Sequence, residues 1–400
     1  MTSNTRTFQP VSIFFFLLCT YLAVSIFFES AEGQGGGLVN QMLAGMVILY
    51  SGIKVFFTRK PINAKGKGAY NVLFLFLLYL LIRLAVMVFT DFKLALSSVR
   101  NEITILFWVM CFLFCLQEFH YADLKAISKW TRVLIFISFV LYFYSIFIRR
   151  SYLESIDKIG ADNTAGSAYM LVPLVLLVLK GKMKYVGYVL CLIICAFSQK
   201  RQALLGFGLI SIFMLVDLGK AYFKTFRMTG IFYLLLAIAL SGTIFTGLFS
   251  GIVERQQYLE DKGDSDSGRT MIWELAISGY AEAPLSDQLF GGGPGAGGRY
   301  VQERTGGWFV MPHNGYIEVL CDYGLIGLLL YIVFFISLLK LAFKFPRGSL
   351  FRKILLGVCL AWIMSNAVSH AGGIWIVFLC IAVGIMLNVE NEHKKFIQLQ

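Results

Sequence analysis

The stretch Pro312-His313-Asn314-Gly315-Tyr316-Ile317-Glu318 joins a polar segment to a long apolar run and holds a histidine placed to do chemistry. An imidazole near neutral pH can take a proton from a sugar hydroxyl, which is general-base work. A helix starting just after it would offer unpaired N–H groups and partial positive charge, a setting that accepts a diphosphate. The same position suits a histidine that merely caps the helix, and the residue types leave both readings open. His120, His370 and His393 lack a companion motif.

Two arginines complete the candidate constellation. Arg201 lies in the turn Ser198-Gln-Lys-Arg-Gln-Ala-Leu-Leu205, between two apolar runs. Arg269 precedes Trp273 by four residues, so both fall on one face of a helix. Forked, permanently charged guanidinium groups grip a diphosphate well, although either could pair instead with a carboxylate such as Asp264 or Asp266. Glu318 and Asp322 are one helical turn apart, where they could orient His313 or balance Arg269. The tract from Gly291 to Gly298 lacks the Gly-Lys-Ser/Thr ending of a nucleotide-binding loop, leaving a plain turn or a close approach of backbone to a glycan. Arg83, Asn366 and Ser369 are polar groups in apolar surroundings. No metal site is expected, because no carboxylates or histidines have ligand spacing. The eight cysteines sit in apolar runs and read as packing residues.

These residues need a frame, and composition says which kind. Of 400 residues, 58% are apolar and 14% charged, with a mean hydropathy of +0.73. A soluble domain carries about 25% charged residues, so a cytoplasmic globular enzyme is excluded. Twelve apolar segments are expected to be spans: Val11–Phe28, Leu38–Phe57, Tyr70–Thr90, Ile103–Leu116, Thr131–Ile148, Ser167–Leu179, Tyr185–Phe197, Ala203–Leu218, Ile231–Val253, Tyr316–Leu339, Ile354–Val368 and Ile374–Leu387. The first reads as a retained helix, since no cleavage site closes it.

The net charge of +12 is sorted by the same segments. With the N-terminus inside, 22 of the 35 basic residues fall on the cytoplasmic side, so both termini are cytoplasmic and nucleic acid is an unnecessary partner. The expected organisation is spans one to nine over 1–253, a large outer loop over 254–315 carrying the site, and spans ten to twelve with a cytoplasmic tail over 316–400. The loop holds nine acidic and five basic residues and enough apolar ones, among them Trp273 and Trp308, to fold on the membrane surface.

His313-Asn314, nine residues, Gly324, two residues and Gly327 resemble the pattern of the bacterial O-antigen ligase and O-antigen polymerase superfamily. The Arg201 turn resembles that family's Ser-Arg-Gly-Ala-Leu turn, and Arg269 with Trp273 its Arg-x-x-x-Trp element; Lys200 and Gln202 depart from it. The likeness runs from Tyr185 to Leu339. It implies an all-α polytopic inner-membrane glycosyltransferase of the lipid-linked-donor class, with about twelve transmembrane helices and a large periplasmic loop between helices nine and ten. The implied donor is a glycan on undecaprenyl diphosphate, used without cofactor, nucleotide sugar or metal. The implied acceptor is the lipid A core for a ligase or another glycan for a polymerase of O-antigen, capsule or exopolysaccharide. His313, Arg269 and Arg201 would be catalytic; Asn314, Trp273, Glu318, Gly324 and Gly327 would bind substrate. Protein O-oligosaccharyltransferases share the motif, and a twelve-span transporter or flippase is the rival from another class.

Overall fold

The computed structural model describes residues 9–32, 37–58, 60–90, 92–155, 164–198, 200, 202–212, 268–307, 309–368 and 375–391. Arg201, the ninth apolar segment, residues 254–267, Trp308, Ser369, His370 and His393 lie outside them. The described residues form helices joined by turns, without strands. The helices are α1 (Pro10–Glu32), α2 (Gly37–Phe57), α3 (Lys67–Thr90), α4 (Phe92–Glu118), α5 (Leu124–Ser155), α6 (Val172–Val178), α7 (Gly181–Phe197), α8 (Gln202–Ile212), α9 (Arg269–Glu282), α10 (Leu285–Phe290), α11 (Ala296–Thr305), α12 (Gly315–Phe343), α13 (Leu350–Val368) and α14 (Ile376–Asn391).

Eleven of the twelve expected segments coincide with helices, and seven of those helices are long and apolar enough to cross a membrane. Outward apolar side chains such as Phe16, Phe57, Phe89 and Phe147 stay exposed, as lipid-facing residues must. The count of twelve spans is not reproduced by length alone, because α6, α7, α8 and α14 are shorter than a full span. The sixth segment is the clearest difference. It is a 3₁₀ helix, Ala165–Leu171, followed by two turns of α-helix from Val172 with Pro173 in its first turn. A 3₁₀ helix rises about 2.0 Å per residue against 1.5 Å, so fourteen residues reach about 25 Å. Nearly all of them are buried, which places this element inside the bundle.

The centre is built on α4 and α14, whose residues Phe107–Leu116 and Ile376–Val389 are buried throughout. At Gly384 α14 meets the Cys115 backbone so closely that a Cβ would sit 3.0 Å from its carbonyl oxygen, the small-residue contact that lets membrane helices approach. Aromatic rings join α4, α12 and α13: Trp108 and Trp362 meet edge to face at 5.4 Å, and Phe335 and Trp362 at 5.5 Å. All eight cysteines are buried, free thiols.

One end of this bundle is basic. Lys60 pairs with Glu118 at 2.6 Å, Tyr121 donates to the Pro61 carbonyl, and the Lys344 ammonium donates to the Lys65 carbonyl at 2.9 Å. Those bonds tie the connections after α2, α4 and α12 together. The other end of α12, about 44 Å away at 1.5 Å per residue, begins at His313 and Asn314.

Candidate active site

Beyond that second end, α9 to α11 form a cap with its own small core. Ala276 from α9, Ala296 and Val301 from α11, and Cys321 from α12 are buried together, with Ile272, Leu275, Tyr280, Tyr300, Val310 and Ile317 packed around them. The cap is therefore anchored to the first turns of α12.

The anchor is a break in the helix. Gly324 has φ 67° and ψ −172° inside α12, so the carbonyls before it lose their partners in the next turn. Each finds another donor. Gly292 N–H donates to the Cys321 carbonyl at 2.9 Å, Gly293 N–H to that of Asp322 at 3.1 Å, and the Tyr79 hydroxyl to that of Tyr323 at 2.6 Å. An unpaired buried polar group costs about 1–3 kcal/mol in protein mutants, and hydrocarbon offers no water to substitute. The glycine tract and α3 thus make the break tolerable. A Cβ on Gly291 would lie 2.2 Å from the Asp322 carbonyl oxygen, and one on Gly324 2.4 Å from that of Leu289. Close backbone approach is required here, but to the chain's own helix. Gly327 serves packing as well, since its Cβ would meet Tyr323 at 2.3 Å.

Asp322 does not orient His313; both its oxygens serve the glycine tract. Oδ2 accepts from Gly295 N–H at 3.0 Å and Oδ1 from Gly297 N–H at 3.4 Å, so the carboxylate caps the start of α11. Arg299 closes the tract by donating to the carbonyls of Gly292 at 2.7 Å and Pro294 at 2.8 Å. Arg83, in the third span, donates to the Gly291 carbonyl. Glu318 is buried in the first turn of α12, where a carboxylate complements the helix dipole.

His313 is exposed, and at φ 52° it is the one non-glycine residue with positive φ among those described. A left-handed non-glycine residue costs about 1–2 kcal/mol, so its neighbours must impose the conformation. Asn314, not His313, is the helix cap: Oδ1 accepts from the N–H groups of Tyr316 and Ile317 at 3.1 and 3.2 Å, while Nδ2 donates to the Ala367 carbonyl at 3.0 Å. On the other side, Trp273 Nε1 donates to the Pro312 carbonyl at 2.6 Å. His313 is clamped between those two bonds. Arg269, half-buried at the first position of α9, stands one turn from Trp273 on the same face. Near Arg201, the Gln202 side chain donates to Ser365 Oγ at 2.8 Å, two residues along α13 from Asn314's partner Ala367. Gln202 and Asn314 thus both bond to the end of α13.

Sequence reasoning passed over Tyr79, Arg299 and Glu102. Glu102 is 2% exposed on α4, with its carboxyl group facing Tyr323, Asp322 and Arg83 behind the break. An acidic residue at the edge of the apolar segment Ile103–Leu116 was the signal for it. Tyr79 had no such signal, because a tyrosine in a span is ordinary.

Lipid-facing apolar helices around a buried aromatic centre, with a polar cap presenting a histidine at one end, define a multi-pass membrane protein. Residues 186–332 match the O-antigen ligase family model, a segment that contains Arg269, the glycine tract, His313 and the Gly324 break. The chain is also 23% identical over 290 residues to a Rickettsia conorii protein described as a "putative polysaccharide ligase", covering 60% of this chain and 67% of that one. Over that segment the chain is similar to O-antigen ligases, and across a longer stretch it is similar to a protein described as a polysaccharide ligase.

Proposed function

We propose that the protein is an inner-membrane glycosyltransferase of the O-antigen ligase type, moving a glycan from undecaprenyl diphosphate to the lipid A core at the periplasmic face. The observation that carries this reading is His313, exposed and held at positive φ between the Asn314 cap and the Trp273–Pro312 bond, whose Trp273 lies on the helix that Arg269 begins. Strain maintained by neighbours is a mark of functional positions.

In the proposed step the acceptor hydroxyl oxygen attacks the anomeric carbon while the bond from that carbon to the diphosphate oxygen breaks. The hydroxyl proton goes to His313, and the configuration inverts. Arg201 and Arg269 offset the charge that collects on the departing lipid diphosphate, the dominant contribution in such transfers. Neither a metal nor a nucleotide sugar takes part. Asn314, Trp273, Glu318, Gly324 and Gly327 support the site through the cap and the break.

Two measurements test this. In membranes, Arg269→Ala and Arg201→Ala each lower transfer from the lipid-diphosphate donor by 10²-fold or more, the order expected for losing one preorganised charge; wild-type rates at normal protein levels would remove the assignment. In a deletion strain, a lipopolysaccharide core bare of O-antigen supports the ligase. A core bearing a single repeat unit would make the protein a polymerase.

A further inference from the structure

At the basic end of the bundle, opposite His313, a cavity of about 570 Å³ lies between the start of α5 and the turn from α6 to α7. Five cations line it: Lys125, Lys129 and Arg132 from α5, and Lys180 and Lys184 from the turn. Gly181, at φ 49°, reverses the chain so that the last two come to the rim. Lys125, Lys129 and Arg132 share one helical face, where like charges repel. No carboxylate lines the cavity, and none of the five forms an ion pair among the described residues. Neighbouring Asp123 accepts the Lys125 N–H at 2.8 Å through Oδ1, as the cap of α5. Arg132 Nε donates to the Ser128 carbonyl at 3.2 Å, which anchors that guanidinium at the wall.

Such a concentration of positive charge around a concave space calls for an anion, and the rest of the wall says which. Leu124, Leu177 and Val178, all buried, form an apolar side next to the cations. A free phosphate needs no apolar wall, whereas a phospholipid brings a phosphate and its glycerol and acyl groups together. Basic pockets between helices on the cytoplasmic side suit lipid headgroups for this reason. The two lysine clusters are also ones that charge sorting assigns to the cytoplasm. We propose that this cavity binds the phosphate headgroup of an anionic phospholipid of the cytoplasmic leaflet. The proposal is independent of the transfer site, and its test reads binding only.

Full-length protein purified in detergent is titrated with dioleoyl phosphatidylglycerol in mixed micelles, with dioleoyl phosphatidylcholine, or with sodium phosphate, and the thermal midpoint is followed. Phosphatidylglycerol is expected to raise the midpoint, while phosphatidylcholine and inorganic phosphate leave it in place. The triple variant Lys129→Gln, Arg132→Gln, Lys184→Gln should need on the order of 10² times more phosphatidylglycerol, at about fivefold per charge. Lys340→Gln, at the same end but outside the cavity, should behave as wild type. An equal response to inorganic phosphate, no response to phosphatidylglycerol, or an unchanged response in the triple variant overturns the proposal. If the triple variant does not fold, Lys184→Gln alone should weaken the response about fivefold, and an unchanged titration overturns it equally.

Discussion

The two ends of α12 use the same materials to opposite purposes. At the His313 end, Arg83 and Arg299 are spent on backbone carbonyls, Arg304 pairs with Glu282 at 2.8 Å, and Asp322 caps a helix. At the other end, five cations crowd a cavity with no carboxylate among the described residues of its wall. Two glycines of the break set it apart. Gly291 and Gly324 have positive φ and also touch backbone, whereas Gly181 and Gly348 at the basic end, like Gly268 and Gly306 at the rim of the cap, have positive φ with nothing within 4 Å. One end is a closed network that fixes geometry, and the other is an open surface that offers charge. Geometry matters where a proton must meet one oxygen; charge suffices where a headgroup must be held.

A matched pair of glycine substitutions should separate the two ends most strongly. Gly324→Ala forces a Cβ into the Leu289 carbonyl and is expected to cost more than about 4 kcal/mol, the exceptional range for a point change. Gly348→Ala suffers only backbone strain, about 1 kcal/mol. Fluorescence-detected size exclusion in detergent should show little folded protein for the first and normal yield for the second; equal yields would mean that the break is not the anchor. Next in size, Asp322→Ala leaves the N–H groups of Gly295 and Gly297 unpaired and should destabilise by about 2–6 kcal/mol at 1–3 per orphaned group. Asp322→Asn, which retains an acceptor, should lower the melting midpoint less. Arg83→Ala frees the Gly291 carbonyl and removes one charged hydrogen bond, about 1.5–3 kcal/mol, read as a lower midpoint. Smallest is Lys60→Gln at the basic end. Lys60 is 32% exposed but Glu118 only 2%; Gln still offers a donor and Glu118 keeps its bond from Thr58, so about 1–2 kcal/mol is expected.

Much of this was legible in the residues. Eleven apolar segments became helices because hydrocarbon admits little else, and the His313-Asn314 start of α12 fell where the polarity changes. The i,i+4 pairing of Arg269 with Trp273 placed both on α9 correctly. What could not be read was which polar groups the fold consumes internally. Asn314 and His313 are adjacent, yet one is bonded on both sides of its amide and the other is exposed, a distinction set by Ala367, 53 residues away. The Gly324 break was equally hidden: its stability depends on Gly292, Gly293 and Tyr79, and spacing along one helix cannot reveal donors on a distant turn and on another helix. The 3₁₀ start of the sixth segment has the same origin, since its apolar composition specifies burial and not pitch.

Under the proposed function the fold holds His313 at positive φ for chemistry, not for stability. Glycan transfer by His313→Gly tests it most directly, because glycine accepts φ 52° without penalty and leaves the Asn314 cap and the Trp273–Pro312 bond in place. The expected protein is at least as stable as wild type, with transfer reduced about 10²- to 10⁴-fold, the range for losing a general base. A His313→Gly protein that folds normally and transfers glycan at the wild-type rate would contradict it.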